Sequence, residues 1–267
     1  MSFFKQFPTL NYDLNKDGSI TKIVNIFRSV RPVQTFIDDP SLYRLYEIKN
    51  GERPDIVSQR LYGTPEYYWT FFVVNQFLHD GYKVWPMSQE AINKFLDKEY
   101  NGYAIVTNPR VEDGLSNSIA GKFRLGETIV GGNSGASGKL TKKIIDLNQL
   151  VIQDVTNGPY LGDGQFNNNN AEIIVGQTST DSVATFNVYP YREAPHHYYI
   201  LDEEGNEREY ASRLFIDDIH AEPTNVIKYV SNQEYVYSQN DERSKIRVIN
   251  PKQIGQFVEK FKRLINE

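Results

Sequence analysis

An α+β fold follows from three features of this sequence. These are a strand–helix–helix–strand pattern between residues 43 and 87, a turn-rich β stretch near 116–188, and an amphipathic helix after Asn250. The predicted organisation is an extended N-terminal arm (1–42), a core (43–115), an inserted β-rich module (116–188) and a return to the scaffold (189–267). With 267 residues, 39% of them hydrophobic, the chain has enough apolar side chains to build a core.

The arm alternates short apolar pieces with turn signals, among them Phe7-Pro8, Asp17-Gly18, Arg31-Pro32 and Asp39-Pro40, which interrupt any long helix. Within it, Ile23–Val30 fits a strand or a short helix equally well. Tyr43–Ile48 alternates as a strand does and ends at the turn pair Asn50-Gly51. Pro54 and Asp55 suit the first turn of a helix that carries Ile56, Val57, Arg60 and Leu61 at helical spacing and stops at Gly63. Thr64 caps a second helix, with Tyr68, Trp69, Phe72 and Val73 as its apolar stripe and an end near Asn75. Val84–Met87 reads as a short extended piece. Ser88-Gln89-Glu90 then opens a third helix with Ile92, Phe95, Leu96 and Tyr100, closed by Asn101-Gly102. Strand, helix, helix and short strand in this order resemble a LysM-like module, in which two helices cover a two-stranded sheet.

Between Ser116 and Asn187 charges thin out and turns crowd in, as at Gly131–Gly138, Asn157-Gly158-Pro159 and Asn167–Asn170. The runs Lys139–Ile145, Leu150–Gln153, Ile173–Val175 and Thr185–Val188 predict strands of a small barrel or sandwich. Tyr198–Glu207 predicts a hairpin turned at Gly205-Asn206. The clearest element is the last: Asn250 caps, Pro251 follows, and Ile254, Phe257, Val258, Phe261, Leu264 and Ile265 form one stripe, with Lys252, Glu259, Lys260, Lys262 and Arg263 opposite. That stripe docks either on this chain's own core or on a partner. The same choice applies to the clustered aromatics Tyr67-Tyr68-Trp69 and Phe71-Phe72, because one helix face does not bury consecutive rings.

Composition narrows the function. Net charge is -5, and the 29 basic residues are scattered, so no nucleic-acid footprint is predicted. No apolar run reaches the roughly 20 residues that cross a bilayer, and residues 1–8 lack a signal peptide's apolar stretch, so a soluble, unexported protein is expected. The absence of cysteine removes disulfides, thiolate metal sites and a cysteine nucleophile, and it fits a reducing cytoplasm.

Motifs for chemistry fall short one by one. Asp13–Ile20 copies half of a calcium loop, but Val24 stands where the bidentate carboxylate belongs, which favours an Asx-rich turn. The run ending Gly138-Lys139 has Asn133 and Leu140 where a phosphate loop needs glycine and Ser or Thr. His196-His197 would point to opposite faces of a strand, without further ligands. Asp217-Asp218 and Glu203-Glu204 read as solvated turns. No GxSxG motif occurs, and neither a catalytic residue, a metal nor a cofactor is predicted.

The stretch Arg53–Trp69, with its Arg-Pro, Tyr-Gly, following Pro and Tyr-Trp in order, resembles the gene 53 baseplate wedge family of T-even-like contractile-tailed phages. Trp85–Glu90, Asn25–Arg28 and the closing Lys245–Ile249 strand with its helix extend the resemblance to about 20–110 and 195–267, leaving the β-rich middle as a departure. That middle, through Phe123–Gly131 and Ser134–Gly138, resembles small β modules of other phage virion proteins. The family resemblance implies a non-enzymatic structural subunit of the virion tail baseplate, assembled in the host cytoplasm and present in several copies around a six-fold axis. Its implied partners are other wedge subunits, the sheath-initiating protein and neighbouring wedges. Candidate partner-binding residues are Phe27, Arg53, Tyr62, Tyr67, Trp85, Phe257 and Phe261. The alternative from another class is a LysM-type peptidoglycan- or glycan-binding module.

Overall fold

The structure, a computed structural model, describes residues 4, 7–26, 39–107, 119–162, 171–201, 207–210 and 226–266. The chain divides into two compact units, residues 1–91 with 239–267, and residues 92–238. In chain order the elements begin with β1 (Thr9–Tyr12), β2 (Thr21–Val24), β3 (Tyr43–Glu47), α1 (Pro54–Tyr62), α2 (Trp69–Val74) and α3 (Gln89–Glu99). Next come β4 (Tyr103–Thr107), β5 (Thr128–Gly131), β6 (Ser137–Ile144), β7 (Gln149–Thr156), β8 (Ile173–Gly176) and β9 (Ser182–Pro190). The chain continues with β10 (Pro195–Leu201), β11 (Glu207–Tyr210), β12 (Val226–Ser231), α4 (Asn232–Ser244), β13 (Lys245–Ile249) and α5 (Ile254–Asn266).

In the first unit, the described part of the arm is an antiparallel hairpin of β1 and β2, so Thr21–Val24 is a strand. Its turn is the Asx-rich loop. The Asp13 carboxylate accepts the amides of Asp17 and Gly18 at 3.2 and 2.9 Å, and Gly18 takes φ 83°, where glycine meets no Cβ clash. Phe27, the rest of Ile23–Val30 beyond Ile26, and the Arg31-Pro32 turn lie outside the described residues.

The core sheet is two-stranded, but its second strand is not Val84–Met87. β3 pairs antiparallel with β13, Tyr46 opposite Ile246, from the far end of the chain. The expected strand at 84–87 fails because a side chain takes its hydrogen bonds: the Met87 amide donates to Asn240 Oδ1 at 2.7 Å, and Asn240 Nδ2 donates to the Met87 carbonyl at 3.3 Å. An amide side chain thus replaces a neighbouring strand.

α1 starts at Pro54 and ends at Gly63, whose φ of 72° and bond to the Gln59 carbonyl form a left-handed cap. Val57 and Ser58 face inward, whereas Ile56 is half exposed, because Ser58 is held by the Thr64 carbonyl at 2.7 Å. The Thr64 hydroxyl accepts the Glu66 amide, but the expected second helix opens as a 3-10 turn over Pro65–Tyr67 before α2 begins. That turn rotates the inward face to Trp69, Thr70, Phe71 and Val74; Leu61, Phe72 and Val73 are only partly buried. Asn75 ends α2 as expected and ties it to β13, accepting the Arg247 amide at 2.8 Å and donating to the Arg247 carbonyl at 2.9 Å.

Two apolar clusters fill this unit. Ile48, Val57, Phe71, Leu78, Trp85, Ile246 and Val248 lie between helices and sheet. Phe7, Trp69, Val74, Ile249 and the inward face of α5 form the other. Helix α5 carries the predicted stripe: Ile254, Phe257, Val258, Phe261 and Ile265 are buried, and Lys252, Glu259, Lys260, Lys262 and Arg263 are exposed.

In the second unit, α3 buries Ile92 and Leu96 while Phe95 stays exposed. The β-rich middle is a closed six-stranded antiparallel barrel in the order β4-β7-β6-β5-β8-β9. The barrel resolves the choice between barrel and sandwich, and it starts earlier than 116 by taking Tyr103–Thr107 as a strand. Gly102 makes that entry possible: at φ 91°, a Cβ there would sit 2.3 Å from the Ile152 carbonyl oxygen. Ile105, Ile129, Leu140, Leu150, Ile152 and Ile174 fill the interior without exposure. Tyr160 adds a buried hydroxyl that donates to the Ile129 carbonyl at 2.7 Å, and burial pushes its phenol well above the ordinary value. The Asn167–Asn170 tip and the Gly205-Asn206 turn lie outside the described residues, as do Asp217-Asp218 and Glu203-Glu204. The strands flanking the second turn, β10 and β11, do pair, and β12 lies on the other edge of β10.

Candidate functional site

Among the described residues, the candidate contact residues do not share one exposed surface. Arg53 is the most solvent-exposed of those described, its side chain 75% accessible and paired through two nitrogens with Asp55 at 3.1 Å each. A pair so exposed contributes little to stability, which leaves the guanidinium available to exchange its partner. Tyr62 is partly buried, donates its hydroxyl to the Ile249 carbonyl at 3.1 Å, and meets Tyr67 edge-on with ring centres 6.1 Å apart. Burial pushes the Tyr62 phenol far above its usual range, as expected for a ring whose role is packing.

Trp85 is buried, and its indole donates to the Glu52 carbonyl at 2.8 Å. Glu52 is the polar hub beneath it: its carboxylate accepts the Tyr46 hydroxyl at 2.8 Å and the Lys49 amide at 3.1 Å, and pairs with Arg60. Phe257 and Phe261 are 1% and 3% exposed, with ring centres 6.2 and 4.6 Å from Trp69. Both rings pack within the chain's own core, where the stripe meets Trp69 and Val74.

Exposed apolar side chains lie elsewhere, at positions not singled out from the sequence. Leu45, on the outer face of the core sheet, is 77% exposed, beside Arg247, whose guanidinium lies 5.0 Å from the Tyr43 ring centre. Tyr82 and Phe77 follow α2, and Leu14, Ile20 and Ile26 stand out from the arm. Alternation along Tyr43–Ile48 announces two faces. Only the pairing with Ile246 and Val248 decides that Leu45 is on the wet one.

The described residues contain no group of three metal-ligating side chains, and among them no helix is long and apolar enough to cross a membrane. His196 and His197 do not point apart as a regular strand would require. A bulge in the pairing with β12 brings their Nδ1 atoms to 2.9 Å, and His196 stacks on Tyr235 at 3.7 Å. The Gly131–Gly138 run is the tight turn between β5 and β6.

Comparison with known proteins points to the N-terminal part of the chain. The family described as base plate wedge protein 53 matches residues 1–112. The baseplate wedge protein gp53 of Enterobacteria phage T4 is 32% identical over 92 residues, which is 34% of this chain. The chain spans 45% of that relative's length. Residues 1–112 are thus similar to the base plate wedge protein 53 family.

Proposed function

We propose that this chain is a structural subunit of a contractile-tail baseplate wedge in the phage virion. In that reading it binds other wedge subunits and the sheath-initiating protein, joins adjacent wedges around the six-fold axis, and performs no catalysis. The observation that carries the reading is the family match over residues 1–112, which covers the arm, β3, α1, α2 and α3. The geometry supports it: this segment displays apolar side chains at Leu14, Ile20, Ile26, Leu45, Phe77 and Tyr82. Such side chains lose water when a partner covers them. Of the described residues chosen from the sequence, Arg53 makes direct contact in this reading; Tyr62, Tyr67, Trp85, Phe257 and Phe261 act by holding the surface in shape.

The core reads as LysM-like, strand, two helices and a closing antiparallel strand, with the second unit carried between α2 and β13. The barrel, taken from residue 103 rather than 116, is in this reading an insert that the core does not need for its own fold. Co-expression with the other wedge proteins of the same phage tests the function. A complex that co-purifies, and that Leu45→Glu weakens, is the expected result. Retention on peptidoglycan with no affinity for wedge proteins would favour the glycan-binding alternative and overturn this one.

A further inference from the structure

The barrel contains a repeat. A shift of 45 residues lays Glu127-Thr128-Ile129-Val130-Gly131 on Glu172-Ile173-Ile174-Val175-Gly176, and Ser134 on Ser179. The same shift carries β4 onto the first part of β7, β5 onto β8 and β6 onto β9. Every pairing of the closed barrel survives the exchange: β4–β9 becomes β7–β6, β5–β6 becomes β8–β9, and β4–β7 and β5–β8 map onto themselves. Registers agree to the residue. Ile105 faces Val188 as Leu150 faces Lys143, and Ile129 faces Gly176 as Ile174 faces Gly131. Val130 and Val175 face each other, so a local two-fold axis passes through that pair.

The turns agree as well. Gly131 and Gly176 donate to the carbonyls of Ala136 and Asp181, and Gly135 and Thr180 donate back to the carbonyls of Gly131 and Gly176. Gly135 at φ 68° and Thr180 at φ 63° are both left-handed, a conformation rare for a β-branched residue, which Thr180 nonetheless keeps.

Two buried carboxylates join the halves. Glu172 Oε2 accepts the amides of Asn133 and Ser134 at 3.0 and 2.8 Å, and the Ser134 hydroxyl donates to Oε1 at 2.8 Å. Glu127 Oε2 accepts the amides of Thr178 and Ser179 at 3.1 and 2.9 Å, and the Ser179 hydroxyl donates to Oε1 at 3.0 Å. Consecutive amides make a concave seat for an anion, and each seat is filled from the other repeat. Glycine admits the carboxylate. A Cβ on Gly131 would lie 2.6 Å from Glu172 Oε2, and one on Gly176 would lie 2.8 Å from Glu127 Oε2.

We infer that residues 103–192 are two interleaved copies of one 45-residue unit, locked together by reciprocal latches in which Glu127 holds the turn 177–180 and Glu172 holds the turn 132–135. Neither copy completes its own turn, so the halves close together.

Amide hydrogen exchange on the full chain tests this. Glu127→Gln keeps the side chain's shape and removes its charge. Protection at Thr178 and Ser179 is expected to fall on the order of ten- to a hundredfold, with Asn133 and Ser134 unchanged. Glu172→Gln is expected to do the reverse. Loss of protection at the turn 132–135 in Glu127→Gln or at 177–180 in Glu172→Gln, or equally at both turns in either variant, overturns the inference. If either variant melts the barrel, the milder Ser179→Ala and Ser134→Ala ask the same question. They should loosen the amides of Arg124 and Leu161, which rest on Glu127 and Glu172, and unchanged exchange there refutes the latch. Exchanging residues 128–134 with 173–179 in the full chain should leave both turns protected; a chimera that does not fold contradicts the equivalence of the copies.

Discussion

Replacing Phe261 by alanine separates a core role of α5 from a surface role. The ring is 3% exposed and lies 4.6 Å, centre to centre, from Trp69, so the change removes a full aromatic side chain from a packed site. Phe→Ala at such sites costs about 3–5 kcal/mol. That figure already contains the Trp69 contact, which alone is worth about 0.5–1.5 kcal/mol beyond area. The chain supplies its own reporter: its two tryptophans, Trp69 and Trp85, both belong to the first unit and are 2% and 8% exposed. Urea unfolding followed by tryptophan emission therefore reads the first unit without interference from the barrel. The midpoint should drop by an amount matching about 3–5 kcal/mol, while Lys262→Ala, on the exposed face of the same helix, should stay within about 0.5 kcal/mol. A Phe261→Ala protein with unchanged stability that no longer joins wedge proteins would refute the reasoning and make the stripe an interface.

Three further outcomes follow from local geometry. Asn75→Ala strips the Arg247 amide and carbonyl of their partner at the edge of β13, and should cost about 2–4 kcal/mol by the same tryptophan measurement. Gly102→Ala forces a methyl group to within 2.3 Å of a carbonyl oxygen, and should destabilise the barrel by about 1–3 kcal/mol, seen as faster exchange at Ile105 and Ile152 and an unchanged tryptophan transition. For Glu127, burial acts to raise the carboxyl pKa, but the amides of Arg124, Ser179 and Thr178 and the Ser179 hydroxyl together hold it below its ordinary 4.5. A lowered folded-state pKa gives stability that is present above about pH 4.5 and is lost as pH falls through the folded value. Barrel amide protection should therefore decline in acid, and Glu127→Gln should flatten that decline; an equal slope in both proteins would exclude Glu127 as a source.

Much of the local structure was legible because its causes are local. Pro54, Gly63, Thr64, Asn75 and Gly102 punctuate the chain where caps and turns form, and the stripe of α5 announces a buried face. What escaped notice depends on distant partners. Nothing in Val84–Met87 says that Asn240 will take its hydrogen bonds, and nothing in Tyr43–Ile48 says that Lys245–Ile249 will lie beside it. Six of the seven candidate contact residues are aromatic, and large aromatics are what a core absorbs first, as Trp85, Phe257 and Phe261 show. The repeat was written openly in Glu-x-Ile-Val-Gly-x-x-Ser at 127 and 172, but its strands interleave, so neither copy reads as a module.

The pairing of Tyr46 with Ile246 also sets an order of events during synthesis. Closing a loop of about 200 residues costs roughly 2 kcal/mol more chain entropy than closing one of about 20, and the sheet cannot form before Lys245–Ile249 has left the ribosome. The barrel, whose strands are all made earlier, has the opportunity to fold while β3, α1 and α2 wait with Trp69 and Phe71 uncovered. The nascent chain is thus most vulnerable to aggregation and proteolysis in β3, α1 and α2, and least so in the barrel.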